Sequence, residues 1–347
     1  MDEQLTADIK KLEEQVKTAK IPDDLRVKCA GMVARLTRLA ASGANFAEFE
    51  QTAHYIDWIV SLPWEKSSQD ILDLGHAQQV LDRNHYGLGD LKERVLEYLS
   101  ILILNKQKSS SYRAPILLLV GLVGTGKTTL AVSIAEALGR KLVRIPFGGM
   151  SSALDLRGQS RVHADAEVGL VMKGIRRAGV KNPVILVDEI DRVADAARGE
   201  IMGVLVELLD PEQNMAFTDH YIDYPFDLSQ AMFIATCNNT TSISTAVMDR
   251  LEPISMPSYT DEEKIKIGKD YVLPREIKNA TLTEGALKID DNVWPKIVRP
   301  LGFDAGIRTL ERTIQGMVRK VAKMVIEGKG NQFYITQDNL KQFLPTY

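Results

Sequence analysis

Cysteine is scarce in this sequence. Cys29 and Cys237 are the only two among 347 residues, far apart, with no Cys-x-x-Cys pattern and no histidine cluster beside either. That excludes a disulfide framework and a thiolate zinc site. A basic excess is missing too: acidic residues outnumber basic ones by 46 to 43, for a net charge of −3. A surface built throughout for nucleic acid is excluded, leaving room for a local basic patch at most. Nor is there a long apolar run. The longest uncharged stretch, 228–248, carries ten Ser, Thr, Asn or Gln among 21 residues, so it spans no membrane. The acidic opening Met1-Asp2-Glu3-Gln4 lacks the basic-then-apolar order of a signal peptide. The expectation is a soluble, cytoplasmic chain, or one of the mitochondrial matrix if eukaryotic.

What is present fits a multidomain globule. Hydrophobic residues make up 45% and charged residues 26%, and a chain this long buries ~75% of its unfolded surface without cross-links. Residues 1–104 read as a helical domain. Leu5, Ile9, Leu12 and Val16 share one helix face, as a short coiled coil or, preferably, as one helix of a bundle. Further helices are expected at 24–41 and 45–62, with breaks at Pro22 and Pro63. The polar, turn-rich stretch 105–115 reads as a linker. After Pro115, short apolar runs appear at Ile116–Val120, Leu142–Ile145, Val184–Val187, Met232–Thr236 and Ile254–Met256, mostly separated by helix-like segments. That alternation predicts an α/β domain over 105–258, with a mostly parallel sheet sandwiched by helices. From about residue 260 the strand runs stop. A small helical domain is expected over 259–347, with helices at 261–273, 291–299 and 305–327.

Gly121-Leu122-Val123-Gly124-Thr125-Gly126-Lys127-Thr128 matches the phosphate-binding loop pattern. It stands in the required setting, after the strand 116–120 and before a helix-compatible run from Thr129 to Leu138. Glycines let successive backbone N–H groups turn inward around phosphates at the positive end of a helix. Lys127 brings a point charge to the outer phosphates, and the Thr128 hydroxyl can ligate Mg²⁺. The run Val184–Val187 ends in Asp188-Glu189, two acids at the strand end where α/β sheets bind ligands. Asp188 suits the Mg²⁺ shell, and Glu189 suits a general base acting on water. Asn238, just past Met232–Thr236, could orient that water. Taken alone it reads as an ordinary turn.

Together with Met248-Asp249-Arg250, these motifs resemble an AAA+ ATPase. The stretches Leu209-Asp210-Pro211-Glu212-Gln213-Asn214, Asp219-His220-Tyr221-Ile222 and Met232-Phe233-Ile234-Ala235-Thr236 are similar to the ATPase region of Lon proteases. So are Asp57-Trp58-Ile59-Val60-Ser61-Leu62-Pro63-Trp64, His85-Tyr86-Gly87-Leu88 and Gly306-Ile307-Arg308-Thr309-Leu310-Glu311-Arg312. The resemblance implies an AAA+ P-loop fold that binds ATP or ADP with Mg²⁺ and works as a homo-oligomer, a hexameric ring, on protein substrates. It implies sensor 1 at Asn238, an arginine finger at Arg250 reaching a neighbour's nucleotide, and a sensor 2 arginine at Arg308 beside Ile307. It further implies adenine contacts from His85, Tyr86, Gly87 and Leu88, with Tyr259 and Ile267 approaching from the small domain. Gly121 to Thr129 would hold the phosphates.

The chain departs from the family pattern in two places. Where the family's substrate-gripping loop normally reads Arg-Gly-His-Arg-Arg-Thr-Tyr-Val-Gly-Ala-Met-Pro-Gly, this chain has Arg157-Gly158-Gln159-Ser160-Arg161-Val162-His163-Ala164-Asp165-Ala166-Glu167-Val168-Gly169. Val162, His163 and Ala164 occupy the gripping tip without a bulky ring, so a weak grip is expected. Nothing resembles the Ser–Lys segment of the family's protease domain, in which a lysine activates the serine. Peptidase activity is therefore not expected of this chain alone, and a protease domain in cis or trans is implied. An excised fragment is the favoured reading over a paralogue. Two function classes follow: a protein-unfolding motor, or an ATP-gated binding ring with a degenerate loop. A third reading, DNA binding at Arg176-Arg177 and Lys181, has weak support beside a plain solvated helix end.

Overall fold

A computed structural model describes residues 3–41, 46–108, 116–163, 165–299 and 306–345. The first helix, α1 (Glu3–Thr18), buries Ile9, Leu12 and Val16 as their spacing requires. It packs on α2 (Asp23–Ala41), whose Leu25, Cys29, Val33 and Leu36 form the facing stripe, and on α3 (Phe46–Ser61), which buries Tyr55, Ile56 and Ile59. Arg26 closes α1. Its guanidinium donates to the carbonyls of Val16, Lys17 and Ala19 at 2.9–3.1 Å, satisfying acceptors that a helix C-terminus leaves open.

Five strands form the central sheet: β1 (Ile116–Val120), β2 (Leu142–Pro146), β3 (Val184–Asp188), β4 (Met232–Cys237) and β5 (Leu251–Ser255). Their order is β2-β3-β4-β1-β5, and every pairing is parallel. The parallel α/β sheet read from the alternation is therefore present. β3 and β4 are buried along their whole length, which is why they are apolar apart from Asp188 and Thr236. Alternate residues serve opposite faces. Leu118 joins the core that also contains α1, α2 and α3, whereas Leu117 and Leu119 join α4 (Leu74–Asn84), α5 (Gly89–Lys108) and α6 (Lys127–Ala137) on the other face. Farther along the chain come α7 (Leu170–Ala178) and α8 (Arg198–Leu209).

The structure corrects several boundaries. The expected linker 105–115 begins as helix, since α5 runs through Lys108; residues 109–115 lie outside the described set. α4 and α5, which a boundary at 104 assigns to the N-terminal part, pack against the sheet through Leu81, Val95 and Leu99. The last strand is Leu251–Ser255 rather than Ile254–Met256. Glu252 and Pro253 disguise it, and a proline without an N–H is tolerated because β5 is an edge strand. Strands also reappear beyond residue 260, where Leu287–Ile289 pairs in parallel with Phe333–Ile335.

The C-terminal part is otherwise helical. α9 (Asp261–Ile267) opens on a capping box between Thr260 and Glu263. A π-helical turn over Gly268–Val272 separates it from α10 (Leu273–Asn279), interrupting the helix expected over 261–273. Gly268 is needed there because a Cβ would stand 2.5 Å from the Trp294 ring. α11 (Trp294–Val298) and α12 (Arg308–Ile326) complete this part around Trp294, Ile314 and Met317.

Candidate nucleotide site

The phosphate loop lies between β1 and α6. Gly124 and Gly126 adopt φ of 82° and 95°, left-handed values that side chains resist. The Thr125 hydroxyl folds the loop on itself by donating to the Leu122 carbonyl at 2.9 Å. Lys127 is buried, and its ammonium donates to the carbonyls of Gly121 and Leu122 at 2.6 and 3.0 Å and to Asn238 Oδ1 at 3.0 Å. Burial pushes the Lys127 pKa below its ordinary value, while nearby carboxylates, Asp191 foremost, push it back up. Thr128, half-buried, follows in the first turn of α6, and the Thr129 hydroxyl donates to the Gly126 carbonyl at 2.8 Å.

Asp188 ends β3 beside this loop and is buried. One carboxylate oxygen takes a two-pronged contact from Arg144, Nε at 2.7 Å and Nη2 at 2.6 Å. The other accepts from the Thr236 hydroxyl at 2.5 Å. Thr236 also accepts from the Glu189 backbone N–H at 2.9 Å, so one hydroxyl ties both acids to β4. Glu189 sits at φ 60°, ψ 50°, a strained left-handed position for a non-glycine. Gly148 leaves space for it, since a Cβ there would come within 2.9 Å of Glu189 Oε2.

The C-terminal helices close on the loop from the far side. Gly306 and Gly124 meet backbone to backbone, and the Ile307 N–H donates to the Gly124 carbonyl at 3.0 Å. Arg308 therefore starts α12 against the loop, its Cβ 3.3 Å from where a Gly124 side chain would begin. Tyr259 donates its hydroxyl to the Thr125 carbonyl at 3.2 Å, and burial raises that phenol to about 12. Tyr86, Tyr259, Ile267 and Ile307 share one apolar cluster. Gly87 and Leu88 turn the chain at φ 64° and 58°.

His85 is buried at the end of α4, with Nε2 2.9 Å from the Ser133 hydroxyl and its carbonyl accepting from Lys92 at 2.7 Å. Burial, reinforced by the Lys92 charge, lowers its pKa to about 4. Folding thus keeps His85 neutral. The stability this represents is full above the unfolded value near 6.5 and drains away as pH falls towards 4. Between pH 7 and pH 5 the fold should lose about 2 kcal/mol at this one group. Urea unfolding at both pH values should show that loss in the wild type and a shallower dependence in His85→Gln.

Matches to known proteins agree with this geometry. Residues 117–258 match the model of the ATPase family associated with various cellular activities (AAA), and residues 278–333 match the Lon protease AAA+ ATPase lid domain. The chain is a Lon-family AAA+ ATPase module. It is 44% identical over 329 residues to a Lon protease of Desulforamulus reducens, covering 95% of this chain and 40% of that protein. It is 40% identical to Lon protease 1 of Bacillus subtilis over 98% of this chain and 43% of that one. The chain therefore spans about 40% of the length of these curated relatives. The Lon lid match contains α12, and with it Arg308.

The Lon-family module does not bring every expected site residue to this cleft. Arg250 precedes β5, whose register pairs Leu251 with Ile116 and Ser255 with Val120. It therefore lies at the opposite end of the strands from the phosphate loop, about 13 Å away at ~3.3 Å per residue. There its Nη2 pairs with Asp210 at 2.6 Å and its Nη1 donates to the Ala246 carbonyl at 2.8 Å. Val162 and His163 are exposed on the loop 157–169, and Ala164 lies outside the described residues. Arg161 of that loop stacks on the Tyr55 ring at 3.8 Å, docking the loop on α3. Arg176 is held by Asp57 at 2.6 Å and lies over Trp58, so it serves an internal contact rather than a free basic patch.

Three residues at the cleft escaped the motif reading, Arg144, Thr236 and Asp191, as did Asp210, which holds Arg250 at the far end of the strands. Arg144 and Thr236 are the polar positions inside the runs 142–145 and 232–236. A polar side chain within an otherwise apolar strand is the signal that could have found them.

Proposed function

We propose that this module binds ATP with Mg²⁺ and hydrolyses it in a ring of identical chains, driving the unfolding and threading of protein substrates towards proteolysis. The observation that carries this reading is the 3.0 Å bond from Lys127 to Asn238, which joins the phosphate loop to the tip of β4 beside Asp188 and Glu189. In the free protein Lys127 is satisfied by loop carbonyls; with ATP bound it turns to the outer phosphates, which the N–H groups from Gly121 to Thr129 surround. Among the described residues no three His, Cys, Asp or Glu side chains cluster as a metal cage. That suits Mg²⁺, which takes one or two protein oxygens, here Thr128 and Asp188, together with phosphates and water. When bound it would supply charge neutralisation at the phosphates. Glu189 accepts the proton of the attacking water, and Asn238 orients that water. Arg308 closes the lid over the phosphates, and residues 85–88, Tyr259 and Ile267 flank the base. Arg250 is too distant to serve its own chain's site, which supports its service to a neighbour's.

The three-part division is part of this proposal, with α4 and α5 grouped with the sheet rather than with α1–α3. Among the described residues no helix is long and apolar enough to cross a membrane, and a cytoplasmic setting is proposed with the motor. Calorimetric titration tests the site: Lys127→Ala should weaken ATP binding at least ~100-fold, the loss of about 3 kcal/mol expected for a buried charged contact. Undiminished affinity would refute the phosphate-loop assignment.

The docked, ring-poor loop 157–169 favours a second reading, an ATP-gated binding ring that does not translocate. An unfolded protein such as casein separates the two. Turnover should rise severalfold for a motor and stay level for a gate.

A further inference from the structure

One carboxylate at the cleft has no part in the roles assigned above. Asp191 lies two residues past Glu189, in the short 3₁₀ turn Ile190–Arg192. Its Oδ2 accepts from two successive backbone N–H groups, Asn238 at 3.1 Å and Asn239 at 3.4 Å. Its carbonyl accepts from the Ser242 hydroxyl at 3.1 Å. A single residue thus staples the segment after β3 to the segment after β4. The stapled point matters, because Asn238 is the residue whose side-chain oxygen meets Lys127. With that oxygen committed to the ammonium, the amide nitrogen of Asn238 is left to donate elsewhere. The orientation of that donor depends on where the backbone of residue 238 is held.

Two further observations single Asp191 out. Its second oxygen, Oδ1, is buried with no hydrogen-bond partner among the described residues, a costly state for a carboxylate. Among the charges acting on Lys127, that of Asp191 is the strongest, ahead of Glu189 and Asp188. A carboxylate kept under-satisfied beside a buried lysine is out of place as mere loop packing.

We propose that Asp191 is a positioning residue for ATP hydrolysis: by holding the backbone N–H groups of Asn238 and Asn239 it aims the Asn238 amide at the reacting end of the nucleotide. This rests on the nucleotide reading of the site. Asp191 itself touches neither nucleotide nor water in this role. It acts through Asn238, so its removal costs turnover rather than binding, and the cost vanishes once the Asn238 side chain is gone.

The test uses the full chain as wild type, Asp191→Ala, Asp191→Leu (nearly isosteric, without an acceptor) and Asp191→Asn. It also uses Asn238→Ala alone and combined with each of them. Four quantities are read: kcat and KM for ATP, affinity for fluorescent ADP without magnesium, and amide exchange at 238 and 239 in the nucleotide-free protein. Asp191→Ala or Asp191→Leu should lower kcat at least ~10-fold, leave ADP affinity within ~3-fold and speed exchange at the two amides at least ~10-fold. Asp191→Asn, whose amide oxygen can still accept both bonds, should recover exchange protection and at least about a third of the turnover. In the Asn238→Ala background the Asp191 changes should cost less than about twofold more.

Wild-type turnover beside an unchanged kcat in both Asp191→Ala and Asp191→Leu would overturn this inference alone. Full additivity with Asn238→Ala, or a loss of ADP affinity as large as the loss of kcat, would also overturn it. A wild-type chain that neither binds ADP nor turns over ATP would overturn the nucleotide reading and this inference together.

Discussion

Arg250→Ala should bind ATP as the wild type does and hydrolyse it ~10³–10⁵-fold more slowly, the contribution of an arginine supplied to a transferring phosphoryl group. The expectation comes from position. Arg250 stands at the start of β5 while its own phosphate loop follows the end of β1, the full strand length away. Deleting it therefore removes nothing from the pocket of its own chain, so affinity is preserved. Within one chain the guanidinium is held by Asp210 and the Ala246 carbonyl, while its Nε is buried with no hydrogen-bond partner among the described residues. Truncation also strips Asp210 of the arginine that holds its carboxyl below the ordinary range. A melting curve must accompany the kinetics, because a variant that melts early loses turnover for a different reason. Steady-state hydrolysis together with calorimetric ATP titration checks the prediction. A near-normal rate would mean that the finger lies elsewhere.

Glu189→Gln should hold ATP at wild-type affinity and turn it over ~10²–10⁴-fold more slowly, the usual contribution of a positioned base. Glutamine keeps the shape and the backbone N–H that donates to Thr236, and Gly148 still leaves it room. Only the capacity to take a proton is lost. Single-turnover hydrolysis of prebound ATP separates this from weak binding. Retained turnover would remove Glu189 as the base and shift attention to Asp188. That acid is an awkward substitute, because both of its oxygens are already engaged by Arg144 and Thr236.

The parts of this molecule that could be read in advance are those whose chemistry is local. The phosphate loop needs left-handed glycines and a lysine at fixed spacing, and Gly124 and Gly126 take that conformation while Lys127 opens α6. β3 and β4 are legible because a strand buried on both faces is apolar along most of its length. β5 starts ahead of its apolar run because an edge strand admits Glu252 and Pro253. The linker begins later than its composition suggests because α5 carries its polar end past residue 104. Partners chosen in three dimensions stayed invisible. Arg144 meets Asp188 across 44 residues of sequence, and Asp210 meets Arg250 across 40. Their charges alone do not say which carboxylate each arginine takes. The placement of α4 and α5 was hidden for a similar reason: a buried helix stripe shows that it needs cover without naming the surface.

In the proposed function each hydrolytic site is built by two chains, one bringing Lys127, Glu189 and Asn238, the other Arg250. Mixing the two dead variants tests this directly. Glu189→Gln and Arg250→Ala should each be inactive alone. Subunit-exchanged or co-expressed in equal amounts, they should regain about a quarter of the wild-type rate. That is the share of sites at which an intact glutamate in one chain meets an intact arginine in its neighbour. A mixed assembly as inactive as its parents would contradict the account.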